Sequence, residues 1–155
     1  MGRGRPAPGP GRQLRRSPSP ALWHLREDVE PLLPAHLYDI SLPIEAMPRY
    51  VARLKQAISD WRDDANCDVF GHIADGNLHI FVRPSDRDEY REAADRCVYE
   101  SLDGLGGSIS AEHGIGIEKR RWLGATRSEA EIDLMRTLKR ALDPKNILNP
   151  GKILD

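Results

Sequence analysis

Residues 68–82, DVFGHIADGNLHIFV, constrain the fold of this chain more than any other segment. Two runs of alternating residues flank the dipeptide Asp75-Gly76, which is favoured in two-residue β-hairpin turns. Successive side chains of a strand point to opposite faces. One face of the predicted hairpin is therefore wholly apolar and carries Val69, Gly71, Ile73, Leu78, Ile80 and Val82. We expect this face to pack against helices and the other face to stay open.

The same hairpin brings two histidines onto the open face. With Asp75 and Gly76 as the turn residues, His72 lies directly opposite His79, and the Cβ atoms of such a pair are about 5 Å apart. Two imidazoles at this separation can share a divalent metal ion, because zinc–nitrogen bonds are about 2.0–2.1 Å long. The alternative is a pair of surface histidines without a metal.

Strand and helix patterns alternate on both sides of the hairpin. Further strands are predicted at residues 36–42 and 108–111, and helices at residues 21–33, 43–61, 86–102 and 128–142. From residue 36 to residue 111 the order is βαββαβ. This order is typical of ferredoxin-like α+β domains, in which two helices cover one face of a four-stranded antiparallel sheet. The first and last helices flank that unit.

Charge is distributed unevenly along the 155 residues. Residues 1–20 contain five arginines and no acidic residue, which leaves 18 basic and 24 acidic residues in the rest of the chain. We expect residues 1–20 to be a disordered Arg/Pro/Gly-rich leader, with an RNA-binding arm or a transit peptide as alternatives, and residues 21–155 to be the folded domain. Because the domain is acidic, we expect it to bind no nucleic acid.

Hydropathy and cysteine content indicate the cellular compartment of the protein. No apolar run approaches the ~20 residues that a membrane-spanning helix needs. The two cysteines, Cys67 and Cys97, are too few for a disulfide framework or an all-cysteine zinc site. We expect both to be small buried groups in a reducing compartment, which predicts a cytoplasmic protein.

A second segment with chemical potential follows the last predicted strand. Residues 108–116, SISAEHGIG, place Glu112 beside His113 where the strand passes into a glycine-containing loop. Glu112 would complete a set of two histidines and one carboxylate that leaves metal positions open for a substrate. His113 would serve as a general base, a role that histidine side chains commonly take in enzymes. The alternative is that both residues only cap a helix at a glycine turn.

Three motifs resemble those of FAD-linked oxidases of the vanillyl-alcohol-oxidase type. Residues 71–79 resemble GHxGDGNxH, residues 110–116 resemble SxEHGxG, and residues 143–152 are similar to DPxxxLNPGK. The likeness covers about residues 21–154 and is greatest to the groups that oxidise D-2-hydroxyglutarate, D-lactate or glycolate. It implies that a D-2-hydroxy acid is oxidised to the 2-oxo acid, with FAD as the hydride acceptor.

The resemblance also implies a catalytic centre. In zinc-dependent members, two hairpin histidines and the motif glutamate hold the metal, and these match His72, His79 and Glu112. The motif histidine, here His113, corresponds to the base that removes the hydroxyl proton.

Two further roles follow from the resemblance. Residues 22–27, LWHLRE, are similar to a family segment whose arginine binds a distal substrate carboxylate, so Arg26 is the candidate. Asn149 in the tail would lie by the flavin ring. The alternatives are a surface ion pair for Arg26 and turn capping for Asn149.

Three positions depart from the family pattern. Ala74 replaces a glycine, Phe81 stands where hydroxyglutarate-type members often carry asparagine, and Leu37 stands where they carry lysine for the distal carboxylate. The changes at Leu37 and Phe81 favour a smaller or more apolar hydroxy acid over a dicarboxylic one.

The FAD-binding domain that precedes this region in the family has no counterpart in the sequence. We therefore expect the chain to need a separate or missing FAD-binding domain and to show no turnover alone. The alternative is a non-catalytic binding or assembly module derived from the same domain.

Overall fold

The computed structural model describes residues 32–154 of the chain. The leader, Arg26 and nearly all of the helix predicted at residues 21–33 lie outside these residues. The described part contains a three-stranded antiparallel sheet with the spatial order β1-β3-β2. Its strands are β1 (His36–Ser41), β2 (Asn66–His72) and β3 (Asn77–Arg83). The longer helices are α1 (Met47–Trp61), α2 (Asp88–Glu100) and α3 (Glu129–Leu142).

The helices α1 and α2 cover one face of the sheet, and the core lies between them and the strands. Alternate strand residues are buried there, because a strand turns every second side chain to the same face. The strands contribute Tyr38, Ile40, Leu78, Ile80 and Val82 to this core. The helices contribute Met47, Tyr50, Leu54, Ile58, Ala94, Val98 and Tyr99, which recur at helical spacing. The predicted α+β class is confirmed.

A buried carboxylate ties α2 to the sheet and to the segment that follows. Asp95 of α2 accepts a hydrogen bond of 2.8 Å from the Tyr38 hydroxyl and one of 2.7 Å from Arg121. Arg121 belongs to a short 3-10 helix, Arg120–Ala125. Because a buried charge is stable only when it is paired and hydrogen-bonded, these contacts fix the position of α2.

The hairpin register differs from the prediction by two residues. His72 pairs with Asn77 and Phe70 pairs with His79, so the two histidines are diagonal neighbours and not directly opposite. The turn is a four-residue loop formed by the 3-10 segment Ile73–Asp75 and Gly76, which has a φ of 72°. Ile73 is therefore exposed, although it was predicted on the packed face.

A contact with a distant residue explains this turn. The Gly76 carbonyl accepts a hydrogen bond of 2.8 Å from the Leu42 amide, and a Cβ at Gly76 would lie 2.4 Å from the Leu42 oxygen. The loop is thus held against the end of β1, and only glycine fits there.

The fourth strand predicted at residues 108–111 is reduced to a single bridge. Ser108 and Ser41 exchange backbone hydrogen bonds of 3.1 and 2.8 Å, and the chain then leaves the sheet. Beyond Ser110, the amide groups of residues 111–113 bond to the Asp39 side chain and not to a strand. The carboxylate of Asp39 in β1 therefore replaces the strand pairing that the sequence predicted for this segment.

The helix α3 forms as predicted but buries no residue. Ser128 caps its first turn, and Ser128 and Glu131 form a reciprocal capping box. Leu134, Leu138 and Leu142 are all exposed. Within residues 32–154, no helix is long and apolar enough to cross a membrane.

Candidate metal and substrate site

The sheet face that α1 and α2 leave uncovered carries the candidate site. On β2 and β3 this face contains Phe70, His72, His79 and Phe81, and on β1 it contains Asp39. The register shift of two residues leaves this assignment intact, because a shift by an even number does not change the face of a side chain. Both histidines therefore occupy the face that the sequence predicted.

The structure brings together the three residues that were predicted to bind a metal. One donor atom each from His72, His79 and Glu112 lies within 4.8 Å of the others. The Nε2 atom of His79 is 4.0 Å from the Oε1 atom of Glu112, and the two imidazole centroids are 6.2 Å apart. Two imidazole nitrogens and one carboxylate oxygen are a donor set that suits zinc and leaves further coordination positions for other ligands.

Asn77, which the sequence interpretation did not single out, supports this cluster. It is buried opposite His72 in the β2–β3 ladder, and its amide Nδ2 donates a hydrogen bond to Glu112 Oε1. Its Oδ1 atom is also buried and accepts no hydrogen bond from the described residues. Because an unpaired buried acceptor costs about 1–3 kcal/mol, the site is suited to a bound group that donates to this oxygen.

A buried carboxylate holds the loop that carries Glu112 and His113. Asp39 of β1 is fully buried, and its Oδ2 atom accepts backbone hydrogen bonds from three successive residues. The donors are Ala111 at 2.9 Å, Glu112 at 2.8 Å and His113 at 3.0 Å. The Ser110 hydroxyl adds a fourth bond of 3.1 Å. One side chain therefore positions a candidate metal ligand and the candidate base together.

The other oxygen of Asp39 faces two basic side chains. Oδ1 accepts a hydrogen bond from the Lys119 ammonium and lies 3.2 Å from the Nδ1 atom of His113. Burial alone would raise the pKa of Asp39, but the amides of His113 and Glu112 and the Lys119 ammonium hold it well below its usual range. Asp39 was missed from the sequence, and the available signal was an acidic residue within an apolar strand, where a carboxylate needs partners.

Residues 15–153 match the family model described as FAD linked oxidases, C-terminal domain. The chain belongs to this family. The resemblance that its motifs indicated is thereby confirmed.

Individual relatives of this FAD-linked oxidase domain carry the names of 2-hydroxy acid dehydrogenases. A D-2-hydroxyglutarate dehydrogenase of Xanthomonas citri pv. viticola is 41% identical over 143 residues, which cover 86% of this chain and 30% of the relative. One of Stutzerimonas stutzeri is 36% identical over 85% of this chain and 30% of the relative. A probable mitochondrial D-lactate dehydrogenase of Danio rerio is 31% identical over 86% of this chain and 27% of the relative. The chain spans less than a third of these relatives.

The FAD-linked oxidase domain has an apolar cavity next to the candidate base. The cavity measures about 670 Å³ and is bordered by Gly114 and Gly116, which follow His113, and by Asn149. Its apolar lining comes from Ile115, Met135, Leu138, Leu142, Leu148 and Ile153. Asn149 adopts a left-handed conformation with a φ of 48° and is exposed at this cavity. The predicted contact of Asn149 with a flavin stays a prediction, as does the substrate contact of Arg26.

Proposed function

We propose that this chain is the substrate-binding part of a flavin-dependent oxidoreductase that converts a D-2-hydroxy acid to the 2-oxo acid. The observation that carries the proposal is the convergence of His72, His79 and Glu112 at the open sheet face. His113 directly follows Glu112 in the loop that Asp39 holds. Membership of the FAD-linked oxidase family and relatives named for D-2-hydroxyglutarate and D-lactate support it.

A divalent metal, which we propose to be zinc, would be held by His72, His79 and Glu112. The donor set and the 4.8 Å limit on their separation support this assignment. A bound metal would lower the pKa of an alcohol oxygen and draw the substrate's hydroxyl and carboxylate to the site. Asn77 would hold Glu112 in place and offer its unpaired Oδ1 to a donor on the substrate.

His113 would remove the proton of the C2 hydroxyl. Its side chain is 67% exposed, so a substrate can reach it, while Asp39 holds its backbone and contacts its ring. The O–H bond would break as its proton passes to the imidazole, and the hydrogen on C2 would leave as a hydride while the C=O bond forms. FAD would accept that hydride, which balances the two-electron oxidation.

The side chain of the substrate would lie against an apolar wall, which favours a small or apolar hydroxy acid. Leu37 pairs with Phe81 across β1 and β3, and Phe81 stacks on Phe70 with a centroid distance of 5.2 Å. Phe70 in turn lies 5.8 Å from the His79 ring. This apolar wall supports the proposal that the chain prefers a different substrate from the relatives named for a dicarboxylic acid. Arg26 remains our candidate for a contact with a substrate carboxylate.

The partner would be a FAD-binding domain that covers α3 and the tail. Exposed apolar side chains cluster there, and such patches mark interaction surfaces. They belong to Leu134, Leu138, Leu142, Ile147, Leu148 and Ile153. The apolar cavity suits one side of a planar ring, and Asn149 at its border would lie by the flavin.

The boundaries and location of the domain rest on the sequence. We propose residues 21–155 as the domain, residues 1–20 as a leader and a cytoplasmic location. Cys67 and Cys97 are free thiols, and burial raises the pKa of both, which lowers their reactivity.

Complementation tests the proposed function. The chain is co-expressed with the part of the Xanthomonas relative that it does not match, and dye reduction is measured with a panel of D-2-hydroxy acids. We expect a rate that needs both polypeptides. Leu138→Asp should abolish it by breaking the apolar contact, while Thr137→Asp, which adds the same charge at an exposed neighbour, should preserve it.

The contradicting result is a complex that forms and contains flavin yet reduces no dye with any D-2-hydroxy acid. That result would favour a non-catalytic binding module. Melting temperatures of both variants should match that of the parent chain, because neither side chain is buried.

A further inference from the structure

The contact between the buried Asp39 carboxylate and the exposed His113 ring is more ordered than a surface histidine requires. The imidazole of His113 is 67% exposed, but its Nδ1 atom lies 3.2 Å from a carboxylate oxygen of a residue with no exposed surface. Water could satisfy both nitrogens of an exposed ring, so the histidine does not need this contact for its hydration. The arrangement is better explained by a need to fix the ring.

The two oxygens of Asp39 have separate partners, which prevents the carboxylate from turning. Oδ2 accepts four hydrogen bonds from the loop, namely the amides of residues 111–113 and the Ser110 hydroxyl. Oδ1 is left for Lys119 and His113. Lys119 also donates to Ser110 Oγ at 3.1 Å, so the ammonium is fixed as well. The oxygen that faces the imidazole is therefore held in position by the bonds of Oδ2 to the loop and by the Lys119 ammonium.

A carboxylate held in this way selects one tautomer of the ring. A neutral imidazole has one N–H group, and an ionised carboxylate can only accept a hydrogen bond. The hydrogen bond at one nitrogen determines which nitrogen carries the proton. A proton on Nδ1 would donate across the 3.2 Å contact to Asp39 Oδ1 and leave the lone pair on Nε2.

We propose that Asp39 is a positioning residue that holds His113 in the Nδ1–H tautomer, so that Nε2 accepts the substrate's hydroxyl proton. This inference rests on the proposed function of His113 as the base. Asp39 is fully buried and acts through the His113 ring, and Lys119 pairs with its charge. Through its bond to the His113 amide, the carboxylate determines where the base lies. Through its contact with the ring, it determines which nitrogen is basic.

Nitrogen NMR on the full chain tests the tautomer without any turnover. The five histidines are labelled with nitrogen-15, and the His113 signals are assigned by their loss in His113→Ala. Spectra are recorded over a series of rising pH values, and the tautomer is read where the ring signals no longer change with pH. We expect the Nδ1–H form in the parent chain and a fall of that form to less than about half in Asp39→Asn, because an amide can also donate to Nδ1.

The matched control is Asp95→Asn, which changes another buried carboxylate away from the site. It should leave the His113 tautomer unchanged even if it lowers stability. A parent chain with its proton on Nε2 overturns the proposal, and so does an unchanged tautomer in folded Asp39→Asn. If Asp39→Asn does not fold, the parent spectrum alone decides.

Kinetics with the flavin partner give a second measure. Asp39→Asn should lower kcat by on the order of 10²- to 10⁴-fold with little change in KM. The variant should still bind the substrate, but its His113 ring would present the wrong nitrogen to the hydroxyl group. A wild-type kcat in a variant whose tautomer has shifted would overturn the proposal. An inactive parent complex that has the Nδ1–H tautomer would instead refute the proposed function, so the two failures are distinguishable.

Discussion

The two faces of the same three strands have different tasks. On the face under α1 and α2, alternate residues such as Ile40 and Ile80 have no exposed surface and form the apolar core. On the other face, their immediate neighbours Asp39 and His79 are polar and belong to the candidate site. A strand separates these tasks by a single residue in sequence. Substitutions on the packed face should therefore change mainly the stability of this domain, and substitutions at the open face should change mainly its chemistry.

The largest expected loss of stability is on the packed face. Ile80→Ala removes a fully buried branched side chain and should cost about 2–5 kcal/mol of unfolding free energy, because a cavity remains. Leu37→Ala on the other face should cost less than about 0.5 kcal/mol, since Leu37 is 51% exposed. Urea unfolding of both variants checks this, and equal losses would refute the separation of the two faces.

The largest expected loss of activity comes from the loop beside the open face. His113→Ala should lower dye reduction in the flavin complex by about 10²- to 10⁴-fold, because the proton acceptor is removed. Bound metal and the melting temperature should stay unchanged, since His113 is not one of the three clustered donors and its side chain is exposed. Retained activity in this variant would show that the base is assigned to the wrong residue.

The hairpin shows how far the sequence predicts this separation. Alternation with a period of two assigned His72 and His79 correctly to the open face, because that pattern depends only on strand geometry. The register was wrong, since Gly76 bonds to Leu42 and thereby extends the turn to four residues. A turn type that depends on a contact between distant residues cannot be derived from the dipeptide in the turn.

Asp39 and α3 show two other limits of the sequence. Asp39 replaces strand pairing for the amides after Ser110, an interaction that neither periodicity nor a motif indicates. The apolar spacing of α3 predicted its helix but not what covers it, because periodicity identifies the apolar side and not its partner. By contrast, the triplet of His72, His79 and Glu112 was predicted, because two short motifs carry all three residues.

A smaller effect is expected at the border of the open face. Leu37→Lys should raise the preference for D-2-hydroxyglutarate over D-lactate by roughly fivefold in kcat/KM, because a partly exposed charge pair contributes up to about 1 kcal/mol. Leu37→Met, which keeps the side chain uncharged, should leave the preference unchanged. An unaltered ratio in Leu37→Lys would contradict the proposed specificity wall.

The metal content of the purified full chain tests the central claim most directly. After dialysis against metal-free buffer, we expect about one zinc or similar divalent ion per chain, and its loss in both His72→Ala and Glu112→Ala. His36→Ala, which removes a histidine outside the cluster, should retain the ion. Equal metal content in the parent chain and both cluster variants would contradict the account.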